Sequence, residues 1–347
     1  MFSKAKFVFS KKAIIDNFSK LQELTDIVAY SVKSNPLITQ ILEEKTNSFF
    51  LIHHINELQY IKDTKRILFM LHSPEKEELD VLFEKGVDNY IVDNINDLNF
   101  LEKYLQSENK QITLFLRMRL KEYTVQTGRY FVYGFFSRDI NELIPKLKKN
   151  KNIKQLGIHT HRKTQNLSEW NIVGELEESL SPETWQSISY LDIGGGIPID
   201  YKNVKAETIK DIYRKIKELK AHANSKNIKL IIEPGRAIAG PSGKLITTIK
   251  NIVDDTIFID ASVFNSAMDL IVANIKLLVE GELEEGTKGA IAYVIKGLTP
   301  ASEDIFRYRV YLYPPEVGDK IVFLNAGAYI YYTDLFNLER PEVVFED

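Results

Sequence analysis

The 347-residue chain contains no cysteine, which excludes disulfide bonds, thiolate metal sites and a thiol nucleophile. It also lacks long apolar runs: Phe49–Ile52 and Ile67–Leu71 are of strand length, far below the roughly 20 residues that span a bilayer. The formal net charge is only −3, so the whole protein has no strong attraction for nucleic acid or anionic membranes. These absences predict a protein without nucleic-acid or membrane partners.

The chain does contain enough apolar material for a large core. Hydrophobic residues make up 44% of it, with 19 Phe and 17 Tyr, a composition that excludes intrinsic disorder. At roughly 100–200 residues per domain, the length indicates two domains or one barrel with an appendage. The first residues, Met1–Phe7, lack an apolar stretch of signal-peptide length, so the sequence predicts a cytoplasmic location.

From residue 25 to 235, short apolar runs alternate with longer amphipathic stretches. The runs predict eight strands: Ile27–Val32, Ser48–His53, Lys65–Met70, Asn89–Val92, Ile112–Met118, Leu156–His161, Ile188–Ile193 and Lys229–Ile232. The stretches between them predict helices, among them Pro74–Lys85, Ile95–Tyr104, Ile140–Lys149 and Ala206–Asn224. Eight such units with strands that barely alternate are typical of a parallel sheet closed into a (β/α)8 TIM barrel. An open doubly wound sheet is disfavoured because no glycine-rich turn follows the first strand.

The remainder of the chain predicts a second domain of mostly antiparallel sheet. Its runs are Gly243–Ile249, Thr256–Ile259, Ala290–Lys296, Arg307–Leu312 and Lys320–Asn325, separated by turn residues. The predicted domains are therefore a barrel over residues 25–240 and a β domain over 241–347. We expect the N-terminal segment 1–24 to join the β domain through a strand at Lys4–Ser10.

A lysine motif, Ala29–Pro36, follows the first predicted strand. Lys33 stands at the carboxyl end of that strand, where barrel enzymes place their active sites. A crowded, partly desolvated mouth favours a neutral amine and hence covalent chemistry with an aldehyde. The alternative is a surface lysine at a strand end.

Two further motifs end the seventh and eighth predicted strands. Asp192–Pro198 contains three consecutive glycines, whose backbone N–H groups can converge on a phosphate. Glu233–Arg236 combines a carboxylate that suits a protonated ring nitrogen with a guanidinium that suits a phosphate. The alternatives are a tight turn for the first motif and a surface ion pair for the second.

The sixth predicted strand carries His159 and His161 on one face, within Gly157–Gln165. Two such histidines can bind a metal, but no carboxylate follows them at a ligand spacing, so the sequence predicts no metal site. We expect one histidine to stack or act as an acid or base, and the other to be structural.

The order of these motifs on strands one, six, seven and eight resembles the fold-type III pyridoxal-phosphate decarboxylases, the ornithine, diaminopimelate and carboxynorspermidine decarboxylase group. The resemblance continues to Asn325–Tyr329, similar to the closing Ala-Gly-Ala-Tyr motif of the family, and to Phe336–Asn337. It implies a pyridoxal 5′-phosphate cofactor, an alanine-racemase-like barrel, and a homodimer with shared active sites.

By this resemblance, the catalytic residues are Lys33, which holds the cofactor, His161, which stacks on its ring, and Glu233, which pairs with the ring nitrogen. Arg117 orients the ring region, and Glu57 matches an acidic residue after strand two. The phosphate would be held by Thr164, Gly195, Gly196, Gly235, Arg236 and Tyr329. A carboxylate at the ring nitrogen makes the cofactor a strong electron sink, which favours decarboxylation over racemisation.

The chain departs from the family in the β domain. The decarboxylases carry a Gly-Pro-Thr-Cys-Asp-like motif there, whose cysteine reprotonates the substrate carbon and whose acidic residue often binds a distal amine. The matching stretch, Gly297–Asp304, has neither residue at those positions, and Ala301, Ser302 and Asp304 are its predicted substrate contacts. Three explanations are open. The protein uses another proton donor, such as His161, Ser302 or water; its substrate has a masked amine; or it has lost turnover. The last is disfavoured because Lys33, His161 and Glu233 are all present.

Arg162 and Lys163 stand where the family has a small apolar residue and glycine. Together with Lys121 and Arg129 they can form a cationic pocket for substrate carboxylates, or they are solvated loop charges. N-citrylornithine, from carboxylate-siderophore assembly, fits the first case. The sequence thus predicts a carbon–carbon lyase that decarboxylates an L-amino acid related to ornithine, in polyamine or siderophore biosynthesis. An amino-acid racemase and a pyridoxal-phosphate carrier or regulatory protein without turnover are the alternatives.

Overall fold

The computed structural model describes residues 4–120, 133–205 and 207–347. They form two compact units. One contains the described parts of 18–198 and 207–235, and the other contains those of 1–17, 199–206 and 236–347. The predicted domain boundary is residue 240, whereas helix Arg236–Ser242 and the segment 199–206 already belong to the second unit.

After strand β1 (Lys6–Ser10), which belongs to the second unit, the chain enters a closed barrel of eight parallel strands, as predicted. These strands are β2 (Ile27–Ser31), β3 (Phe49–Ile52), β4 (Ile67–Met70), β5 (Asn89–Val92), β6 (Ile112–Arg117), β7 (Ile153–His159), β8 (Tyr190–Asp192) and β9 (Lys229–Ile232). The ring closes where β2 pairs with β9, at Ile27 and Ile231. His161 lies just beyond β7, because that strand ends two residues earlier than expected.

Helices precede or connect the barrel strands. They are α1 (Lys11–Gln22), α2 (Thr39–Lys45), α3 (Lys76–Glu84), α4 (Ile95–Ser107), α5 (Ser137–Leu147), α6 (Ile172–Ser179), α7 (Pro182–Ser187) and α8 (Ile209–Ser225). In α8 the buried residues Ile212, Ile216 and Leu219 recur at three-to-four spacing, which gives the helix one apolar face. Among the described helices, none is long and apolar enough to cross a membrane.

The barrel interior is built from alternate residues of the strands. One core cluster contains Ala29, Leu51, Leu68, Ile91, Phe115 and Ile231. Gly157 on β7 leaves room for this cluster, since a Cβ there would overlap the Phe115 ring. Because side chains alternate along a strand, the residues two positions further on face the carboxyl-end mouth. These include Ser31, His53, Asp93, Arg117, His159 and Glu233.

The second unit contains a mostly antiparallel sheet, as predicted, and this sheet has eight described strands. Its other strands are β10 (Gly243–Val253), β11 (Thr256–Ile259), β12 (Leu278–Val279), β13 (Ile291–Lys296), β14 (Ile305–Leu312), β15 (Lys320–Leu324) and β16 (Glu342–Glu346). The main order is β12-β15-β10-β11-β13-β14, and β1 pairs antiparallel with β10 and parallel with β16. The short helices of this unit are α9 (Arg236–Ser242), α10 (Val263–Ser266) and α11 (Asp269–Val272).

Candidate active site

Lys33 lies just beyond β2, at the mouth of the barrel. The chain leaves the strand through a single turn of 3-10 helix, Val32–Ser34. The Tyr30 hydroxyl donates a hydrogen bond to the carbonyl of Asn35 at 3.0 Å, which ties the end of this turn to the strand. The Lys33 side chain is exposed, and its Nζ lies 3.2 Å from Nε2 of His53. The predicted nucleophile therefore contacts a histidine that sequence reasoning does not single out.

Glu233 is buried beside two histidines. Its Oε2 lies 3.3 Å from Nε2 of His159 and 3.9 Å from Nδ1 of His161. The two imidazole rings are nearly parallel, with centroids 6.3 Å apart. The three ligating atoms lie within 4.8 Å of one another, a spacing that can suit a metal ion. No carboxylate follows these histidines at a ligand spacing along the chain, but the fold brings Glu233 beside them from the end of another strand.

Burial controls the charge in this mouth. It raises the pKa of Glu233 to about 7, although the nearby Lys33 and Arg117 act in the opposite direction. The pKa of Asp192 lies well above its usual range because the group is buried and faces the negative charge of Glu233. Burial also lowers the pKa of His159 to about 4, so its imidazole is neutral at physiological pH.

Two neighbouring carboxylates of the mouth, Glu233 and Asp192, each keep one buried oxygen without a donor among the described residues, and the two groups can share a proton. In the part of the chain that the structure describes, Oε1 of Glu233 is buried without a hydrogen-bond partner. A buried acceptor left unsatisfied in this way costs stability, and a donor on a bound molecule can remove that cost. The protonated ring nitrogen of pyridoxal phosphate is such a donor, so the site suits this cofactor.

The glycine turn after β8 packs directly against His161. The Gly195 N–H donates to Nδ1 of His161 at 3.3 Å, so the imidazole proton lies on Nε2. Gly194 and Gly196 adopt positive φ angles of 66° and 88°. A Cβ on Gly196 would lie 2.7 Å from the carbonyl of Lys163, which only glycine avoids. The predicted role of Gly195 and Gly196 in phosphate binding stays a prediction, but their fit against the histidine loop is structural.

Arg117 and Gly235 also lie on the barrel side. Arg117 ends β6 opposite His159, and its guanidinium lies 5.5 Å from the ring centre of Tyr133. Its positive charge helps to lower the pKa of His161, for which burial is the larger cause. A Cβ on Gly235 would overlap the side chain of Ser34, so this glycine lets the lysine turn pack against the end of β9.

Arg162 and Lys163, the two cations after His161, do not together form the predicted cationic pocket. Arg162 is buried, and its guanidinium forms ion pairs with Glu175 on α6 and with Glu169. Lys163 and Thr164 are exposed. The ion pairs give Arg162 a structural role and do not support its predicted contact with substrate carboxylates. The other two proposed cations, Lys121 and Arg129, lie outside the described residues.

In the second unit, Arg236 begins α9 and lies at the centre of a buried polar cluster. Its Nη1 donates to the Tyr201 hydroxyl at 2.9 Å and to the Asp269 carboxylate at 2.6 Å. Its guanidinium also lies 4.5 Å from the ring centre of Tyr329. Arg236 and Tyr329, both predicted phosphate contacts, are therefore neighbours within this unit.

The predicted substrate contacts of the β domain are only partly accessible. Asp304 is completely buried, with Oδ1 accepting from the Val263 N–H at 2.8 Å. Its Oδ2 accepts from the N–H and the hydroxyl of Thr299 at 3.0 and 2.7 Å. These bonds give Asp304 a structural role and do not support substrate binding. Ala301 is half-buried and Ser302 is exposed.

Comparison with known proteins defines the class. The family model for the pyridoxal-binding domain of the pyridoxal-dependent decarboxylases matches residues 11–240 of this chain. This match covers well over half of the chain, so the chain belongs to that family. The cofactor of this family is pyridoxal phosphate, as the resemblance implies.

Particular relatives are diaminopimelate decarboxylases. The chain is 27% identical to that of Archaeoglobus fulgidus over 289 residues, which cover 76% of this chain and 66% of the relative. It is 25% identical to that of Aquifex aeolicus over 349 residues, covering 93% and 81%. Among solved structures, the diaminopimelate decarboxylase from M. jannaschi shares the fold with a TM-score of 0.86 at 20% identity, covering 100% of this chain and 88% of that one. The chain spans slightly less than two thirds of the length of the A. fulgidus relative.

Proposed function

We propose that the protein is a pyridoxal-phosphate-dependent decarboxylase of an L-amino acid. The observation that carries this proposal is Glu233, whose buried Oε1 lacks a partner among the described residues, in the same barrel mouth as the Lys33 amine. When bound, the cofactor withdraws electrons from the substrate α-carbon, most strongly with its ring nitrogen protonated. A carboxylate suits that protonated nitrogen and thereby favours loss of carbon dioxide over racemisation.

The residues of the mouth have separable roles in this proposal. Lys33 would supply the amine that binds the cofactor aldehyde, and Glu233 would accept from the ring nitrogen. His161, with Nδ1 engaged by Gly195, keeps its Nε2–H as a donor. Arg117 adds positive charge near the bound anion. The phosphate contacts proposed from the family resemblance are Thr164, Gly195, Gly196, Gly235, Arg236 and Tyr329.

The substrate proposal follows from the relatives and from the missing residues. The relatives named above support an amino acid similar to diaminopimelate, and the family resemblance extends this class to ornithine. An ornithine derivative with a masked distal amine, such as N-citrylornithine, is the finer candidate, because Gly297–Asp304 lacks both the cysteine and the amine-binding acid at the family positions. The exposed Lys163 supports a substrate that bears carboxylates, whereas Arg162 is already engaged by two glutamates.

We also propose a cytoplasmic homodimer with shared active sites, working in amino-acid, polyamine or siderophore biosynthesis. Light scattering on the purified full chain measures the assembly, and fractionation of cells measures the location. A monomer at micromolar concentration, or recovery in the membrane fraction, would contradict this part of the proposal.

Two measurements test the proposed activity. The cofactor-loaded protein should show the absorbance of covalently held pyridoxal phosphate, and Lys33→Ala should lose it. Carbon dioxide release is then measured with diaminopimelate, ornithine, lysine and N-citrylornithine. Turnover of free ornithine as fast as N-citrylornithine contradicts the masked-amine proposal. Exchange of the α-proton without carbon dioxide release indicates a racemase, and cofactor binding without either reaction indicates a carrier.

A further inference from the structure

His53 lies at the point where the barrel mouth meets the Lys33 amine. Strand β3 ends at Ile52, and Leu51 belongs to the barrel core. Because side chains alternate, the imidazole of His53 turns towards the mouth. Its Nε2 lies 3.2 Å from Nζ of Lys33, within hydrogen-bond distance.

The imidazole of His53 is neutral at physiological pH. Burial lowers its pKa to about 3, and the neighbouring Lys33, Arg117 and His159 act in the same direction. The acidic group beside it is Glu57, whose own pKa is raised by burial. A neutral imidazole has one N–H and one lone pair, so its tautomer decides whether Nε2 offers Lys33 an acceptor or a donor.

Glu57 favours one tautomer of this ring. Its Oε2 accepts from the backbone N–H of His53 at 2.6 Å and from that of His54 at 3.2 Å, which fixes the carboxylate beside the ring. The same oxygen lies 4.0 Å from Nδ1 of His53, which is too far for a hydrogen bond, and Nδ1 has no hydrogen-bond partner among the described residues. A proton on Nδ1 faces this carboxylate, and the lone pair of Nε2 is then directed at Lys33.

We propose that His53 is a positioning residue for the covalent chemistry of Lys33: its Nε2 accepts a hydrogen bond from Nζ and holds the amine in the mouth, while the nearby Glu57 carboxylate favours the proton on Nδ1. A lysine side chain loses much rotational freedom when it is fixed, and a neutral acceptor fixes it without adding another charge. This inference rests on the proposed function, because the partner of the amine is the cofactor aldehyde.

Two substitutions separate the hydrogen bond from simple filling of space. His53→Ala removes the acceptor, whereas His53→Gln keeps an acceptor oxygen at a similar reach. His72→Ala is a matched control, because His72 is an exposed histidine that follows the next barrel strand, β4. Thermal melts of the three variants establish that each one folds.

The test measures the capture of pyridoxal 5′-phosphate by the cofactor-free full chain. Condensation of the Lys33 amine with the aldehyde releases one water, and the carbon–nitrogen double bond is reduced with borohydride at timed intervals. Mass spectrometry of the Lys33 peptide gives the rate. We expect capture to slow about tenfold in His53→Ala, and by less than about threefold in His53→Gln. His72→Ala should match the wild type. A His53→Gln protein as slow as His53→Ala, or a His53→Ala protein at the wild-type rate, would overturn the proposal.

The pH profile tests the protonation state of His53, whereas the rescue by His53→Gln distinguishes the hydrogen bond from a merely structural role. Because His53 stays neutral, the ratio of wild-type to His53→Ala rates should be constant between about pH 6 and 9. A ratio that falls to one on the acidic side would contradict the neutral acceptor. Failure of the wild type to capture cofactor at Lys33 would instead contradict the proposed function. Capture at Lys33 with no effect of His53 would contradict this inference alone.

Discussion

Buried charges of the second unit and of the barrel mouth differ in how completely they are hydrogen-bonded, although Asp260 of the second unit also keeps one buried oxygen without a partner among the described residues. In the second unit, Asp304 accepts three hydrogen bonds, and Arg307 bonds to both carboxylate oxygens of Glu282 and to two backbone carbonyls. In the barrel mouth, Glu233 and His159 each keep a buried polar atom without a partner among the described residues. Satisfied groups of this kind stabilise a fold, whereas unsatisfied ones cost stability and persist where a ligand completes them.

The largest effect should come from the amine of the barrel mouth. Lys33→Ala should reduce decarboxylation by about a thousandfold or more, because no other group replaces the covalent link. Its free energy of unfolding should change by less than about 0.5 kcal/mol, since the side chain is exposed. Carbon dioxide release and denaturant unfolding measure the two quantities. Retention of a tenth of the activity would contradict the assignment of Lys33.

The next effect concerns the pH dependence of the mouth. The pKa of Glu233 is about 7 in the folded protein against an ordinary 4.5, so the folded state binds this proton more tightly than the unfolded chain. The resulting stabilisation is complete below the ordinary value and is lost as the pH rises through the folded value, by up to about 3 kcal/mol.

Melts of the cofactor-free protein at acidic and alkaline pH check this sign. The wild type should lose stability relative to Glu233→Gln as the pH rises from about 4.5 to about 7, because the variant carries no such proton. Parallel stability curves for the two proteins would show that Glu233 ionises at its ordinary pKa.

A smaller effect is expected in the second unit. Asp304→Asn keeps the shape of the side chain but turns an amide group towards the donors of Val263 or Thr299, which leaves buried N–H groups unsatisfied. We expect a loss of about 2 kcal/mol in the free energy of unfolding. Glu303→Gln is the control, because this neighbour is exposed and should change stability little. Cofactor capture at Lys33 should remain at the wild-type rate; a loss of capture without a loss of stability would show that Asp304 acts in the site.

The smallest effect concerns the charges after His161. Arg162→Met keeps a long side chain but leaves Glu175 and Glu169 without their cation, and should cost about 1 kcal/mol. The KM for carboxylate-bearing substrates should be unchanged. Lys163→Met tests the exposed cation, and should raise this KM without changing stability. A rise in KM confined to Arg162→Met would show that Arg162, and not Lys163, contacts the substrate.

Much of the fold could be predicted because the barrel strands carry their own signal. Asn89–Val92 and Lys229–Ile232 are buried apolar runs with polar ends, and their observed bounds equal the predicted ones. Strand Glu342–Glu346 was not predicted, because its short run follows Pro341 and its partner β1 lies at the other end of the chain. A strand defined by a distant partner leaves little local pattern.

The site could be predicted only where a motif follows a strand. Lys33, His161 and Glu233 stand in such motifs, and the structure places them on the same unit. His53 was not predicted, because its role depends on Lys33, which approaches from the neighbouring strand. A local signal for it does exist: His53 lies two residues beyond the core residue Leu51, and this spacing places it in the mouth. The partners of Arg162 were equally hidden, since Glu175 is supplied by a helix that follows.

The alternation of core and mouth residues along each barrel strand has an evolutionary consequence. Leu51 with His53, Phe115 with Arg117 and Ile231 with Glu233 are pairs fixed two residues apart. Deleting or inserting a single residue within such a strand would turn one member of the pair out towards the helices. Substitutions can therefore accumulate in these strands while their lengths stay constant, and gains or losses of residues during descent should be confined to the connecting loops.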